Sequence, residues 1–308
     1  MSVYTVVGRD ELAAWLQPLG LGALIDHAGI AAGMQNSNYF VTTASGRYVL
    51  TLFEQIDPAE LDFYLALQAH LAAAGVPAPQ PFADPAGRRW RMLCGKPAAL
   101  CSCLPGQAVE APDVVQCAAL GRALAQLHGA AQNFPNPLPN PCGAAWRAQV
   151  GARLLTVLAD DEAALLADEL AYQASQDWSE LPRGVIHADL FRDNALWSAD
   201  GQLSGVLDFY FAGEDALLFD LAVVVNDWCT DADRYRALVA GYAGGRPLTE
   251  AEIRAWPAVR RAAALRFWLL RLEARHMPRA GEVVTRKNPD EFRHLLAQIR
   301  LDPGQLTG

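Results

Sequence analysis

Lysine is almost missing from this chain of 308 residues: Lys96 and Lys287 are the only two, although arginine is plentiful. Positive charge is also short overall, 25 basic against 34 acidic residues, a net charge of −9. That balance argues against a nucleic acid or an anionic membrane as partner, since both select a basic patch. No run of eighteen apolar residues occurs, so no membrane span is expected. The six cysteines (Cys94, Cys101, Cys103, Cys117, Cys142 and Cys229) never stand in a Cys-x-x-Cys spacing, which argues against a zinc site. Cys101 and Cys103 lie in an apolar run and read as buried free thiols of a cytoplasmic protein. Asp10 and Glu11 stand near the start with no long apolar stretch, so no signal peptide is expected. A Gly-x-Gly-x-x-Gly loop is absent too.

What is present is one dense polar segment, His187-Ala188-Asp189-Leu190-Phe191-Arg192-Asp193-Asn194, followed nineteen residues after Asp189 by Asp208 in Val206-Leu207-Asp208-Phe209. Phosphoryl transfer needs few groups. One carboxylate must take the proton of an attacking hydroxyl, and an amide oxygen plus a second carboxylate must hold Mg²⁺ against nucleotide phosphates. His-x-Asp-x-x-x-x-Asn supplies the first two and the later aspartate the third. Gly184–Ile186, Ala195–Trp197 and Leu203–Leu207 read as short apolar strands around the turns that carry them. The competing reading, ordinary turn residues and a packed core histidine, is weakened by three polar groups arriving in order on apolar strands.

With 52% hydrophobic residues the chain can bury a large core, in one large domain or two lobes. Residues 38–43 and 46–53 read as a hairpin turning at Ala44-Ser45-Gly46. Asp57-Pro58-Ala59-Glu60 reads as the capping box of a helix whose apolar stripe is Leu61, Tyr64, Leu65 and Leu71. A second hairpin is expected to turn at residues 84–87. Beyond Gly106 helical patterns dominate, at 113–131, 144–172, 216–228, 232–243, 249–276 and 289–300. The expected architecture is α+β and bilobal like a protein kinase. Residues 1–103 form a small antiparallel sheet with one main helix, and residues 104–308 form a mostly helical lobe carrying the catalytic loop. Nucleotide would bind in the cleft. Gly29 to Asn38, with Gly33, Asn36 and Ser37, stands where a phosphate-covering turn would lie. Asp220 follows only twelve positions after Asp208, which leaves no room for a peptide platform and favours a small-molecule hydroxyl as acceptor. A protein kinase would carry lysine at Thr51, and Glu60 then lacks its usual partner.

These residues resemble the aminoglycoside-phosphotransferase-like superfamily of small-molecule kinases. Within it, Asn36–Val41, Gly46–Glu54, His187–Asn194, Asp208–Ala212 and Ala264–Leu272 are similar to the homoserine kinases of that fold, a likeness running along almost the whole chain. Thr51 is part of that pattern. Ala212-Gly213-Glu214-Asp215 departs from it, where Cys-Asn-Asp would be expected. The resemblance implies ATP and Mg²⁺ as cofactors and L-homoserine as the small-molecule partner. It implies Asp189 as base, His187 as brace of the loop, and Asn194 and Asp208 as metal ligands. Gly33, Asn36, Ser37 and Thr51 would lie near the nucleotide, with the backbone at Ser102 and Cys103 meeting adenine. His128 resembles a histidine packed beneath the catalytic loop. For the acceptor, Arg266 is a candidate for the carboxylate, on a helix face shared with Glu273; Asn38, Tyr210 and Asp227 are further candidates. The alternatives are another small-alcohol kinase of choline, sugar or aminoglycoside type, or a nucleotide-binding pseudokinase.

Overall fold

The computed structural model describes residues 4–31, 36–277 and 287–306. The chain divides into two compact units. The first holds the chain up to Gly106 together with Ser204–Val206, and the second holds the remainder.

In the first unit, β1 (Leu24–Gly29), β2 (Ser37–Thr43), β3 (Gly46–Leu52), β4 (Arg91–Leu93) and β5 (Lys96–Ser102) form an antiparallel sheet in the order β1-β2-β3-β5-β4. Strand alternation sends Tyr39, Val41, Tyr48, Leu50, Leu52, Ala98 and Leu100 to one face. There they pack on Leu12, Trp15 and Leu16 of α1 (Arg9–Leu16). The Cys101 thiol reaches Gln68 of α2 (Pro58–Ala73) at 4.0 Å, which places α2 against the opposite face. Asp57 caps α2 through the Ala59 N–H at 2.9 Å, without the expected reciprocal bond from Glu60. The second hairpin turns at Cys94-Gly95, not at 84–87: both residues have positive φ, 50° and 74°, as a two-residue turn demands. Asp84 instead closes a local turn by accepting from Ala86 and Arg88 N–H.

The second unit runs through α3 (Val114–Ala131), α4 (Ala144–Leu154), α5 (Asp160–Ala174), β6 (Arg183–Ile186), β7 (Ala195–Trp197), β8 (Leu203–Val206, mostly in the first unit), β9 (Gly213–Ala216), α6 (Leu217–Trp228), α7 (Ala232–Gly245), α8 (Glu250–His276) and α9 (Asp290–Leu301). The single helix expected at 144–172 is thus two, broken near Thr156. α6 is buried almost all round, from Leu218 to Val225, as befits a central core helix. Among the described residues no helix is long and apolar enough to cross a membrane.

α3 and α7 cross backbone on backbone. A Cβ on Gly121 would stand 2.1 Å from the Leu238 carbonyl oxygen, and one on Gly241 would stand 2.2 Å from that of Ala118. Alanine ordinarily favours a helix over glycine by about 1 kcal/mol. Here the sign should reverse: Gly121→Ala is expected to lower stability by about 1–3 kcal/mol through overpacking, read as a fall in denaturation midpoint. An unchanged or higher midpoint would contradict the crossing.

Candidate active site

β6 delivers the polar loop. It pairs antiparallel with β9, Ile186 opposite Gly213, and hands over to His187. Ala188 then takes a left-handed φ of 64°, a conformation costing an alanine about 1–2 kcal/mol. Both sides of that residue are held. Its N–H donates to Asp220 Oδ1 at 2.8 Å, and its carbonyl accepts from Arg266 Nη1. The His187 N–H donates to Asp220 Oδ2 at 2.7 Å.

His187 is buried, and burial lowers its pKa, so the ring is neutral. Its Nδ1 accepts the Asp189 N–H at 3.1 Å. The ring proton therefore sits on Nε2, which faces the Leu207 carbonyl at 2.8 Å. Asn194 Nδ2 donates to the Asp189 carbonyl at 2.8 Å, and the Leu207 N–H donates to the Asn194 carbonyl at 2.8 Å. Residues 187–189, 194 and 207–208 are one knot, so Asp189, Asn194 and Asp208 are brought together. Asp208 is itself left-handed, φ 61°, and its carboxylate accepts the Tyr210 N–H.

The Asp189 side chain keeps 16% exposure. Burial pushes its pKa up to about 8, against the Arg266 charge 3.9 Å away and with the charges of Asp208 and Asp193 adding to the rise. A carboxylate poised near neutrality suits a proton acceptor. Desolvation raises Asp208 as well, with the Asp193 charge adding to the rise and the Tyr210 N–H opposing it. Two acids that repel each other in a crowded loop fit a cation. Among the described residues no group of three His, Cys, Asp or Glu could hold a metal. A magnesium ion shared with nucleotide phosphates needs only one or two protein oxygens. With its amide nitrogen committed to Asp189, Asn194 has Oδ1 left for that task.

Behind the loop runs a buried polar chain. Asp220 Oδ2 meets His128 Nε2 at 3.1 Å, and His128 Nδ1 meets the Tyr242 hydroxyl at 2.8 Å. Arg246 donates to that hydroxyl at 3.2 Å and to Glu252 at 2.8 Å. Burial alone would raise the Asp220 pKa, but the bonds and charges from His128 and His187 outweigh it and hold the carboxyl below its usual range. On the far side, Asp227 receives the Arg192 backbone N–H at 2.8 Å and two guanidinium bonds at 3.1 and 3.3 Å. These are the contacts of a loop brace, and they account for both oxygens of a residue expected to meet the acceptor. Trp228 Nε1 adds a bond to the Leu190 carbonyl at 3.0 Å. Tyr210 is half-buried beside Asp208. Arg266 is fully buried, and Glu273 pairs with Arg153 at 3.4 Å and not with Arg266.

In the first unit, Gly33 lies outside the described residues. The Ser37 hydroxyl is buried; it accepts Tyr4 and Thr5 N–H at 2.8 and 2.9 Å and donates to Glu54 at 2.7 Å. Asn36 Oδ1 accepts the Glu54 N–H at 3.4 Å. Thr51 donates to its register partner Asn38 at 2.8 Å. Lys96 finds a glutamate after all, Glu54 at 3.2 Å, coming from β5 and not from the Thr51 position. Ser102 is locked to the Gln80 backbone by two bonds of 2.9 Å, and Cys103 is half-buried. Sequence reasoning assigned no role to Asp220, Arg192 or the Lys96–Glu54 pair. Asp220 left a signal: it is the lone charge in the apolar run Leu217–Val225.

Residues 26–261 match the family model described as "Phosphotransferase enzyme family". The chain belongs to that phosphotransferase family. A homoserine kinase from Methylobacillus flagellatus is 46% identical over 96% of this chain and 94% of its own length. One from Neisseria meningitidis serogroup B is 45% identical over 97% and 100%. An amicoumacin kinase solved with AMP-PNP and Ca²⁺ superposes with a TM-score of 0.68 at 15% identity, covering 94% of this chain and 92% of that one. This phosphotransferase thus has the expected α+β protein-kinase-like fold, an antiparallel five-stranded sheet followed by a mostly helical part.

Proposed function

We propose that this phosphotransferase uses ATP and Mg²⁺ to phosphorylate the side-chain hydroxyl of L-homoserine, giving O-phospho-L-homoserine for threonine synthesis in the cytoplasm. The observation that carries the reading is the 46% identity to a homoserine kinase running through 96% of the chain, catalytic loop included. The geometry supplies matching roles. Asp189 accepts the proton as the acceptor hydroxyl attacks the terminal phosphorus of ATP, whose bond to the bridging oxygen breaks to release ADP. Neutral His187 holds both the Asp189 N–H and the Leu207 carbonyl beside Asp208, so the proton-accepting carboxylate of Asp189 stays in place through turnover. Asn194 Oδ1 and the Asp208 carboxylate would hold Mg²⁺, which when bound neutralises charge on the nucleotide phosphates. The nucleotide and the divalent cation are further supported by the kinase neighbour solved with AMP-PNP and Ca²⁺.

ADP release measured with L-homoserine, choline, simple sugars and aminoglycosides tests the reading. Turnover is expected with homoserine alone, and preference for any other acceptor overturns it. Asp208→Asn should raise the Mg²⁺ concentration for half-maximal rate by about tenfold or more while the homoserine KM stays within about twofold. An unchanged magnesium requirement would remove Asp208 from the metal site.

A further inference from the structure

Arg266 carries an unmet demand. Its side chain is completely buried in α8, yet Nε and Nη2 have no oxygen or nitrogen hydrogen-bond partner among the described residues. These two nitrogens form the side-on fork of the guanidinium, the edge that takes a carboxylate by two parallel bonds. Nη1, on the other edge, is already committed to the Ala188 carbonyl and stands 3.9 Å from Asp189. The group is held face-on as well, with its central carbon 4.9 Å from the Phe211 ring centre and 4.4 Å from that of Phe267. The Cys142 thiol also meets the guanidinium, as a weak sulfur acceptor; burial raises its pKa, and the charge and bond of Arg266 oppose that rise. The Cys142 carbonyl meanwhile accepts from Arg147 at 3.3 Å, a second buried guanidinium that feels the charge of Arg266. A positive, pre-aligned and unsatisfied fork beside the catalytic carboxylate is costly to leave empty.

We infer that the Nε–Nη2 edge of Arg266 is the subsite for the carboxylate of the acceptor, so that this phosphotransferase selects hydroxy acids over neutral alcohols. The inference rests on the acceptor assigned above and deepens it. In L-homoserine three carbons separate the hydroxyl oxygen from the carboxyl carbon, a reach of about 4–5 Å at standard bond lengths. Arg266 Nη1 stands 3.9 Å from the Asp189 carboxylate, so an acceptor this short can engage both residues. An acceptor lacking the anion leaves the fork buried and unpaired, and a site built to pair a polar group rejects analogues without it strongly.

The test compares kcat/KM for L-homoserine with kcat/KM for L-homoserine amide, in which a neutral carboxamide replaces the carboxylate, in wild type, Arg266→Met and Arg266→Lys. Wild type should favour the acid by about 100-fold or more. Arg266→Met should bring the ratio to within about threefold of unity. Arg266→Lys, which keeps the charge but not the fork, should lower it by about tenfold. Loss of the Ala188 and Asp189 contacts slows both substrates alike and cancels in the ratio. Arg266→Lys therefore decides the matter even if the methionine variant does not fold. A wild type that uses acid and amide equally, or variants that keep the wild-type ratio while kcat falls for both, would make Arg266 a purely structural arginine and overturn the inference. Wild type inactive on homoserine but active on another alcohol is a different result: it overturns the assigned acceptor and this subsite with it.

Discussion

Asp189→Asn is expected to lower kcat by about 10²- to 10⁴-fold while nucleotide affinity stays within about threefold. That range is what a positioned general base contributes. Asparagine preserves the volume, and the backbone bonds from Asp189 to His187 and Asn194 do not involve its side chain. The loop should keep its shape, so the loss is confined to proton acceptance. One secondary effect is expected: burial disfavours the ionised Asp189 carboxyl more than Arg266 favours it, so the neutral amide should raise stability modestly. Stopped-time ADP release, paired with equilibrium binding of an ATP analogue, separates the two. Turnover within tenfold of wild type would mean that the hydroxyl proton leaves by another route.

The second large effect should come from Asp220, which touches no reactant. Asp220→Ala strips acceptors from two buried N–H groups, on His187 and Ala188, and from the His128 ring. Each orphaned buried group costs about 1–3 kcal/mol, so a loss on the order of 3–5 kcal/mol is expected, a large share of a typical 5–15 kcal/mol stability. The left-handed Ala188 loses half of what holds it, and kcat should fall steeply with it. Asp220→Asn retains one acceptor and should lie between. The pH dependence has a definite sign. The carboxyl is held below its usual pKa, so its stabilisation is complete above the ordinary carboxylate range and is lost as pH falls through the folded-state value. The stability gap between wild type and Asp220→Asn should therefore narrow on acidification. A gap constant from neutral pH to pH 3 would contradict an ionised Asp220.

Legibility from sequence tracked how local each interaction is. β6, β7 and β8 were read almost to the residue because apolar runs bounded by turns fix them, and Asp189, Asn194 and Asp208 came with them as one motif. β9 was not read: Gly213-Glu214-Asp215-Ala216 has no strand composition, and its backbone is held by β6 and by Asn140 and Leu138. β1 and α1 were missed for related reasons. The first shows no two-residue burial alternation, and the second is only eight residues long. The break in the 144–172 helix carries no proline or glycine to announce it. At the site, the residues with a chemical role stand close together in sequence. The braces pair across long stretches: Arg192 with Asp227, His128 with Asp220 and Tyr242. Single-sequence patterns carry no trace of such pairs.

Every bond in the brace behind the catalytic loop, from Glu252 through Arg246, Tyr242, His128 and Asp220 to Ala188, begins and ends within the second unit. Mutations accumulating before Gly106 leave that scaffold untouched. The two portions of the gene are thus free to drift at different speeds, and a library diversified only in the first would preserve the proton-accepting apparatus in every member that folds.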